Sequence, residues 1–137
     1  MAARDFYHQQ VRDILIAEGW FITHDPYFIQ LGKLRGFIDL AAELLAAEKD
    51  AKKVAIEIKN FVGLSNLNEF KEALGQYLLY QLALSKKEPD RQLFLAIPNN
   101  FYQDFFEDAF FREVITLYNL KLLIFDENKT NKLIWKS

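Results

Sequence analysis

The sequence contains no cysteine, which excludes disulfides, thiolate zinc sites and cysteine nucleophiles together. Its two histidines, His8 and His24, are too few for a histidine-rich zinc centre. Three prolines and five glycines leave little room for linkers or disordered segments. A basic excess is missing as well: 17 Lys and Arg stand against 19 Asp and Glu, for a net charge of -2. Phosphate neutralisation needs clustered Lys and Arg, so any contact with nucleic acid must come from a local patch. The longest uncharged run, residues 73–85, is too short to span a bilayer and contains Gln76 and Gln81. Arg4, Asp5, Arg12 and Asp13 leave no apolar signal-peptide region at the start. A soluble, cytoplasmic protein without a membrane partner is expected.

The 137 residues suit one domain, over 1–137, with enough apolar side chains for a real core. Phe6, Val11, Ile14 and Leu15 share one face of a helix predicted over 3–18, which Gly19 ends. A short strand over 20–24 is broken by Asp25-Pro26, and residues 28–34 read as either a short extended piece or a loop. Two strand-like runs follow, over 36–46 and 53–61, around a charged turn at Glu48-Lys49-Asp50. Ser65 is placed to cap a long helix reaching about residue 85, with Leu67, Phe70, Leu74, Leu78 and Leu82 as its core stripe. A buried strand is expected over 91–97 and helices over 101–106 and 109–119. Two last strands, over 120–126 and 132–135, flank a polar turn at 127–130. This order describes an α/β fold, a mixed central sheet flanked by helices.

The stretches Ile38-Asp39-Leu40-Ala41-Ala42-Glu43 and Val54-Ala55-Ile56-Glu57-Ile58-Lys59 carry the chemistry. Side chains alternate across a strand, so Val54, Ile56 and Ile58 share one face while Glu57 and Lys59 share the other. A hairpin centred near Lys49 sets Asp39 across from Lys59, with Glu57 as a diagonal neighbour. A half-solvated strand shows similar alternation. Against that reading, the strands should be central, small apolar Ala41 and Ala42 lie beside the acids, and neighbouring carboxylates repel unless a cation separates them. Asp39, Glu57 and the Ile58 carbonyl could offer oxygens to Mg²⁺ or Mn²⁺, which would acidify a water and neutralise a phosphate. Lys59 could position that water and meet the phosphate oxygens. Lys33 and Arg35, just before the Asp39 strand, form the candidate DNA-contacting patch.

This pattern, Ile-Asp, a spacer, then Glu-x-Lys at the end of a hydrophobic strand, resembles the PD-(D/E)xK superfamily of restriction-endonuclease-like nucleases. The resemblance implies that Asp39, Glu57 and Lys59 bind metal and cleave DNA; Ile38 stands where the pattern has proline. Gln76 and Tyr80, one turn apart, resemble the Gln-x-x-x-Tyr motif of the RecB-like branch, which helps orient the active site and the DNA. Their alternative is an ordinary polar pair on a core helix. The first helix of related nucleases often carries a further acid, so Asp5 and His8 are noted as supporting candidates, with a surface role as the alternative for His8.

The runs Ala3-Arg4-Asp5 with His8, Glu18-Gly19-Trp20, Ile22-Thr23-His24-Asp25-Pro26, Ile38-Asp39-Leu40, Glu57-Ile58-Lys59, Ala73-Leu74-Gly75-Gln76-Tyr77 and Leu120-Lys121-Leu122 are similar to the XisH family. That family is linked to programmed excision of a DNA element and is often encoded beside a small XisI-type partner. Three functions follow as expectations: a metal-dependent DNA endonuclease-type protein, a nuclease-fold accessory factor that binds DNA or a partner without cutting, or an interaction domain with a solvated charged face. Double-strand cutting would suit a homodimer, and the aromatics over 101–111 could cover an interface or fill a core.

Overall fold

The structure, a computed structural model, describes residues 3–46, 49–61, 65–126 and 132–137. In chain order its elements are α1 (Ala3–Ala17), β1 (Phe21–His24), β2 (Tyr27–Leu31), β3 (Leu34–Ile38), β4 (Leu40–Ala46) and β5 (Lys49–Ile58). They continue with α2 (Asn66–Lys87), β6 (Arg91–Pro98), α3 (Asn99–Phe105), α4 (Ala109–Tyr118), β7 (Leu122–Phe125) and β8 (Leu133–Lys136). Six strands form one mixed sheet in the order β1-β4-β5-β6-β7-β8, and β2 and β3 pair as a separate hairpin. The middle strands β5, β6 and β7 run parallel, while β1, β4 and β8 pair antiparallel with their neighbours. The mixed sheet and its flanking helices are those expected. Residue 48 of the charged turn, the turn at 127–130 and the side chain of Asp5 lie outside what is described.

Period-two alternation explains why both faces of the sheet are dry. Leu93, Leu95 and Ile97 of β6 pack on one side with Phe70, Ala73 and Tyr77 of α2. Phe94 and Ala96 of the same strand pack on the other side with Val11 and Leu15 of α1. Parallel strands covered on both faces read as continuous apolar runs, as β6 and β7 do. Truncating a fully buried side chain such as Leu95 or Ile56 to Ala should cost about 2–5 kcal/mol.

Two expectations are corrected here, and one that was left open is resolved. The run over 36–46 is not one strand: β3 ends at Ile38, the chain bends at Asp39, and β4 starts at Leu40. The ambiguous 28–34 segment is most of the β2–β3 hairpin, with Leu31 paired to Leu34 across the two-residue turn Gly32-Lys33, where Gly32 takes φ +62°. In α2, Ser65 caps as expected by accepting from the Asn68 N–H, but the buried face is Phe70, Ala73, Tyr77, Ala83 and Leu84. Leu67, Leu78 and Leu82 are exposed, so the leucine stripe is rotated away from the sheet. Small alanines let α2 lie close on β6, and the tyrosine between them has its own partners. The Tyr77 hydroxyl donates to the Leu93 carbonyl at 3.2 Å and accepts from the Lys121 N–H at 3.2 Å.

The hairpin packs its inner face, Tyr27, Ile29 and Ile38, into the α2 side of the core. Gly36 makes that fit close. A Cβ there would meet Leu31 Cδ1 at 3.1 Å and the Tyr80 ring at 3.5 Å.

Candidate functional site

Asp39 sits at the bend between β3 and β4, and Glu57 is the second-last residue of β5. The register pairs Leu40 with Ile56 and Ala41 with Ala55. Extending it by one residue sets Asp39 opposite Glu57, two places from the expected pairing with Lys59. The correction tightens the carboxylate pair.

The two acids hold each other through the backbone. The Ile58 N–H donates to Asp39 Oδ2 at 2.8 Å, and the Asp39 N–H donates to Glu57 Oε1 at 3.1 Å. Lys59 Nζ lies 3.6 Å from Glu57 Oε2. Asp39 and Glu57 are each 5% exposed, so the trio is not a solvated face. Lys59 is half-buried, with its ammonium at the rim. Because Glu57 alternates with Ile56 and Ile58, it shares the α2 face of the sheet with Ala55. The Lys59 N–H donates to the Ala96 carbonyl at 2.9 Å, which ties the segment to β6 just beyond the end of β5.

Burial pushes the Glu57 carboxyl up to about 7, and the neighbouring Asp39 charge adds to this while Lys59 opposes it. One ammonium does not offset two carboxylates in a dry site. Such a pair of hard oxygen donors suits a divalent cation that needs few protein ligands. Among the described residues no group of three or more His, Asp or Glu side chains gathers, so a backbone oxygen would have to complete any protein-derived set. In an extended strand the N–H and C=O of one residue point to the same edge. The Ile58 N–H reaches Asp39, so regular strand geometry would turn its carbonyl to that edge too.

Beside Lys59 is an open cavity of about 210 Å³, lined by residues 58–61 together with Glu69, Glu72 and Ala73. Glu69 and Glu72 bring the first turns of α2 to the site, a contribution missed in the sequence. The i, i+3 spacing of Glu69 and Glu72 after the Ser65 cap was the available signal. The cavity is closed on one side by Phe61, which has a left-handed φ of 51° and stacks on Phe101 at 3.7 Å between ring centroids.

The other predicted residues are spread around this centre. Tyr80 packs against the hairpin at Gly36, three residues before Asp39. Gln76 lies half-buried on α2. His8 is engaged elsewhere: its Nε2 is 2.8 Å from Asp25 Oδ1, and Arg12 bonds the other oxygen of the same carboxylate. Lys33 is exposed in the hairpin turn, and Arg35 lies on β3 with its guanidinium 5.4 Å from the centre of the Phe28 ring.

The family model described as XisH protein matches residues 1–133. The chain belongs to the XisH family. Two solved structures resemble this XisH chain over nearly its whole length. An XisH family protein from Nostoc punctiforme PCC 73102 is 36% identical, with a TM-score of 0.85, covering 96% of this chain and 98% of its own. An fdxN element excision controlling factor protein from Anabaena variabilis is also 36% identical, with a TM-score of 0.86 and coverages of 97% and 99%. None of the curated proteins compared matches the chain. Among the described residues of this XisH protein, no helix is long and apolar enough to cross a membrane.

Proposed function

We propose that this XisH protein is a Mg²⁺- or Mn²⁺-dependent DNA endonuclease-type protein of the PD-(D/E)xK, restriction-endonuclease-like superfamily, acting in excision of a DNA element. The observation that carries the reading is the buried, mutually bonded pair Asp39 and Glu57 with the Lys59 ammonium 3.6 Å from one of its oxygens. Asp39, Glu57 and the Ile58 carbonyl would hold the cation. When bound, the ion supplies the acidity that activates a water and the positive charge that offsets a phosphate.

The chain's own residues do the rest. Asp39 and Glu57 present oxygens that backbone N–H groups already orient, so little reorganisation is needed. Glu57, whose carboxyl burial pushes up to about 7, would hold the cation as the carboxylate. Lys59 reaches from the rim to a phosphate oxygen and orients the attacking water. Water oxygen adds to phosphorus and gives up a proton to solvent, the phosphodiester P–O bond breaks, and the leaving sugar oxygen takes up a proton from solvent, so that one water is consumed for each bond cut. Tyr80 and Gln76 are positioning residues for the Asp39 segment, and Lys33 and Arg35 contact the DNA backbone.

A second reading is favoured by the net charge of -2 and by the name of the Anabaena relative, an excision controlling factor. In it the protein is an accessory factor that controls a recombinase without cutting, bound to DNA or to a small XisI-type partner, or acting as a homodimer.

Nicking of supercoiled, linear and branched DNA with Mg²⁺ or Mn²⁺ separates the two. Native protein should cleave, and Lys59→Ala and Asp39→Ala should each lose about 100-fold or more. An inactive native protein that still binds DNA or its partner would establish the accessory reading instead.

A further inference from the structure

The solvent face of the β2–β3 hairpin is unlike the rest of this acidic protein. Phe28 and Phe37 are cross-strand partners, 36% and 51% exposed, with ring centroids 5.9 Å apart. Gln30 and Arg35 are the next pair on that face. Three cations border it. Arg35 lies 5.4 Å from the centre of the Phe28 ring, Lys87 at the end of α2 lies 5.2 Å from the same ring, and Lys33 occupies the turn. Lys87 is fixed there, donating to the Phe28 carbonyl. Residues 27–38 contain no Asp or Glu, although acids outnumber bases in the whole chain.

Exposed rings cost solvation unless something covers them, and a clustered apolar patch of this kind marks an interaction surface. The flanking charge selects the occupant. Aromatic faces between phosphate-binding cations are the surface that unpaired nucleotides use, because every base offers a π-face and every linkage a negative charge. A duplex hides its base faces inside the stack and offers these rings nothing. The platform also leads to the acids: Phe37 is two residues before Asp39, at most about 7 Å along the strand.

We infer that the Phe28–Phe37 face of the hairpin, with Arg35, Lys33 and Lys87, is a stacking platform for single-stranded DNA. It feeds an unpaired strand, such as that at a nick, flap or branch, toward Asp39 and Glu57. The inference rests on the reading of DNA as the ligand and specifies its form.

The test is binding in EDTA, where no cleavage occurs, read by fluorescence polarisation of a labelled oligodeoxynucleotide, single-stranded or annealed to its complement. The single strand should bind at least about ten-fold tighter than the duplex. Phe28→Ala with Phe37→Ala should remove about ten-fold or more of the single-strand affinity and leave duplex binding unchanged. Phe28→Trp with Phe37→Trp should retain it, which keeps the result readable if the alanine pair lowers stability. Arg35→Ala should weaken binding and reduce the salt slope by about 1. Equal affinity for both forms, no binding to either, or full single-strand binding by the alanine pair would overturn the platform. So would covering of the rings by a protein partner with no effect of oligonucleotide. Cleavage is scored separately with Mg²⁺: activity with an irrelevant platform sinks only this inference, and platform binding without cleavage sinks only the nuclease reading.

Discussion

Two charged clusters stand at opposite ends of the β5–β6 ladder, and they solve the problem of buried charge in opposite ways. At one end, where Lys53 pairs with Arg91, the Arg91 guanidinium is 4% exposed and fully partnered. It donates to both Glu88 oxygens at 2.9 and 3.3 Å, to the Val54 carbonyl at 2.9 Å and to the Ala42 carbonyl at 3.3 Å. Tyr27 donates to the same carboxylate, and Lys53 lies between Glu88 at 3.8 Å and Asp90 at 3.3 Å. Charges balance there. Burial would raise the Glu88 pKa, but hydrogen bonds from Arg91 and Tyr27 outweigh it and hold the carboxyl below its usual value. At the other end, Asp39 and Glu57 share one ammonium, and the Glu57 carboxyl goes the other way, up to about 7. The contrast sets a brace against a candidate site.

The largest expected effect breaks the brace. Arg91→Ala takes the donor from the buried Val54 and Ala42 carbonyls and leaves the half-buried Glu88 carboxylate with Tyr27 and Lys53 alone, and urea unfolding should report a loss of about 3–5 kcal/mol. A loss below about 1 kcal/mol would erase the distinction between the clusters. Next is the pH response of the metal-free protein. A carboxyl raised from 4.5 to about 7 by folding stabilises below pH 4.5 and loses that contribution as pH rises through 7, a change of about 3 kcal/mol. Glu57→Gln should remove this slope. A Gln variant with an unchanged profile would mean that Glu57 titrates normally.

Cation addition sharpens the comparison further. At a concentration 100 times its Kd, Mg²⁺ or Mn²⁺ should stabilise the native protein by about 2.7 kcal/mol in a thermal melt. Asp39→Asn should abolish that shift, while Glu88→Gln, at the brace, should keep it. The smallest effect belongs to Tyr77, a neutral bridge from α2 to Leu93 and Lys121. Tyr77→Phe should cost about 1 kcal/mol and leave the cation response intact, since no charge is involved.

Much of this site was legible because strand alternation is a local property. Glu57 and Lys59 follow three apolar positions in β5, and this alone sets them on one face. What was not legible came from bends and from rotations about an axis. The bend at Asp39 splits one apparent strand and moves the pairing by two residues, and no residue type near it announces a break. The leucines of α2 suggested a core stripe, yet Ala73 and Ala83 were preferred because a small side chain admits close approach to β6. The hairpin was ambiguous because both of its faces carry apolar residues: Tyr27 and Ile29 inside, Phe28 and Phe37 outside. Periodicity has no contrast to detect there. His8 could be placed on a helix, but its pairing with Asp25 spans 17 residues and depends on how α1 lies against β1.

The antiparallel pairing of β4 with β5 has a consequence for the order of folding. Asp39 and the Ile58 N–H that it binds are 19 residues apart in sequence, at the end of an antiparallel strand pair. The parallel pairing of β5 with β6 must wait for a crossover that contains the 22 residues of α2. Loop closure favours the shorter circuit, so the acids are expected to meet before the sheet around them is complete. Their mutual repulsion would then be felt on the way to the native state, and a divalent cation present at that stage should speed refolding rather than only slow unfolding.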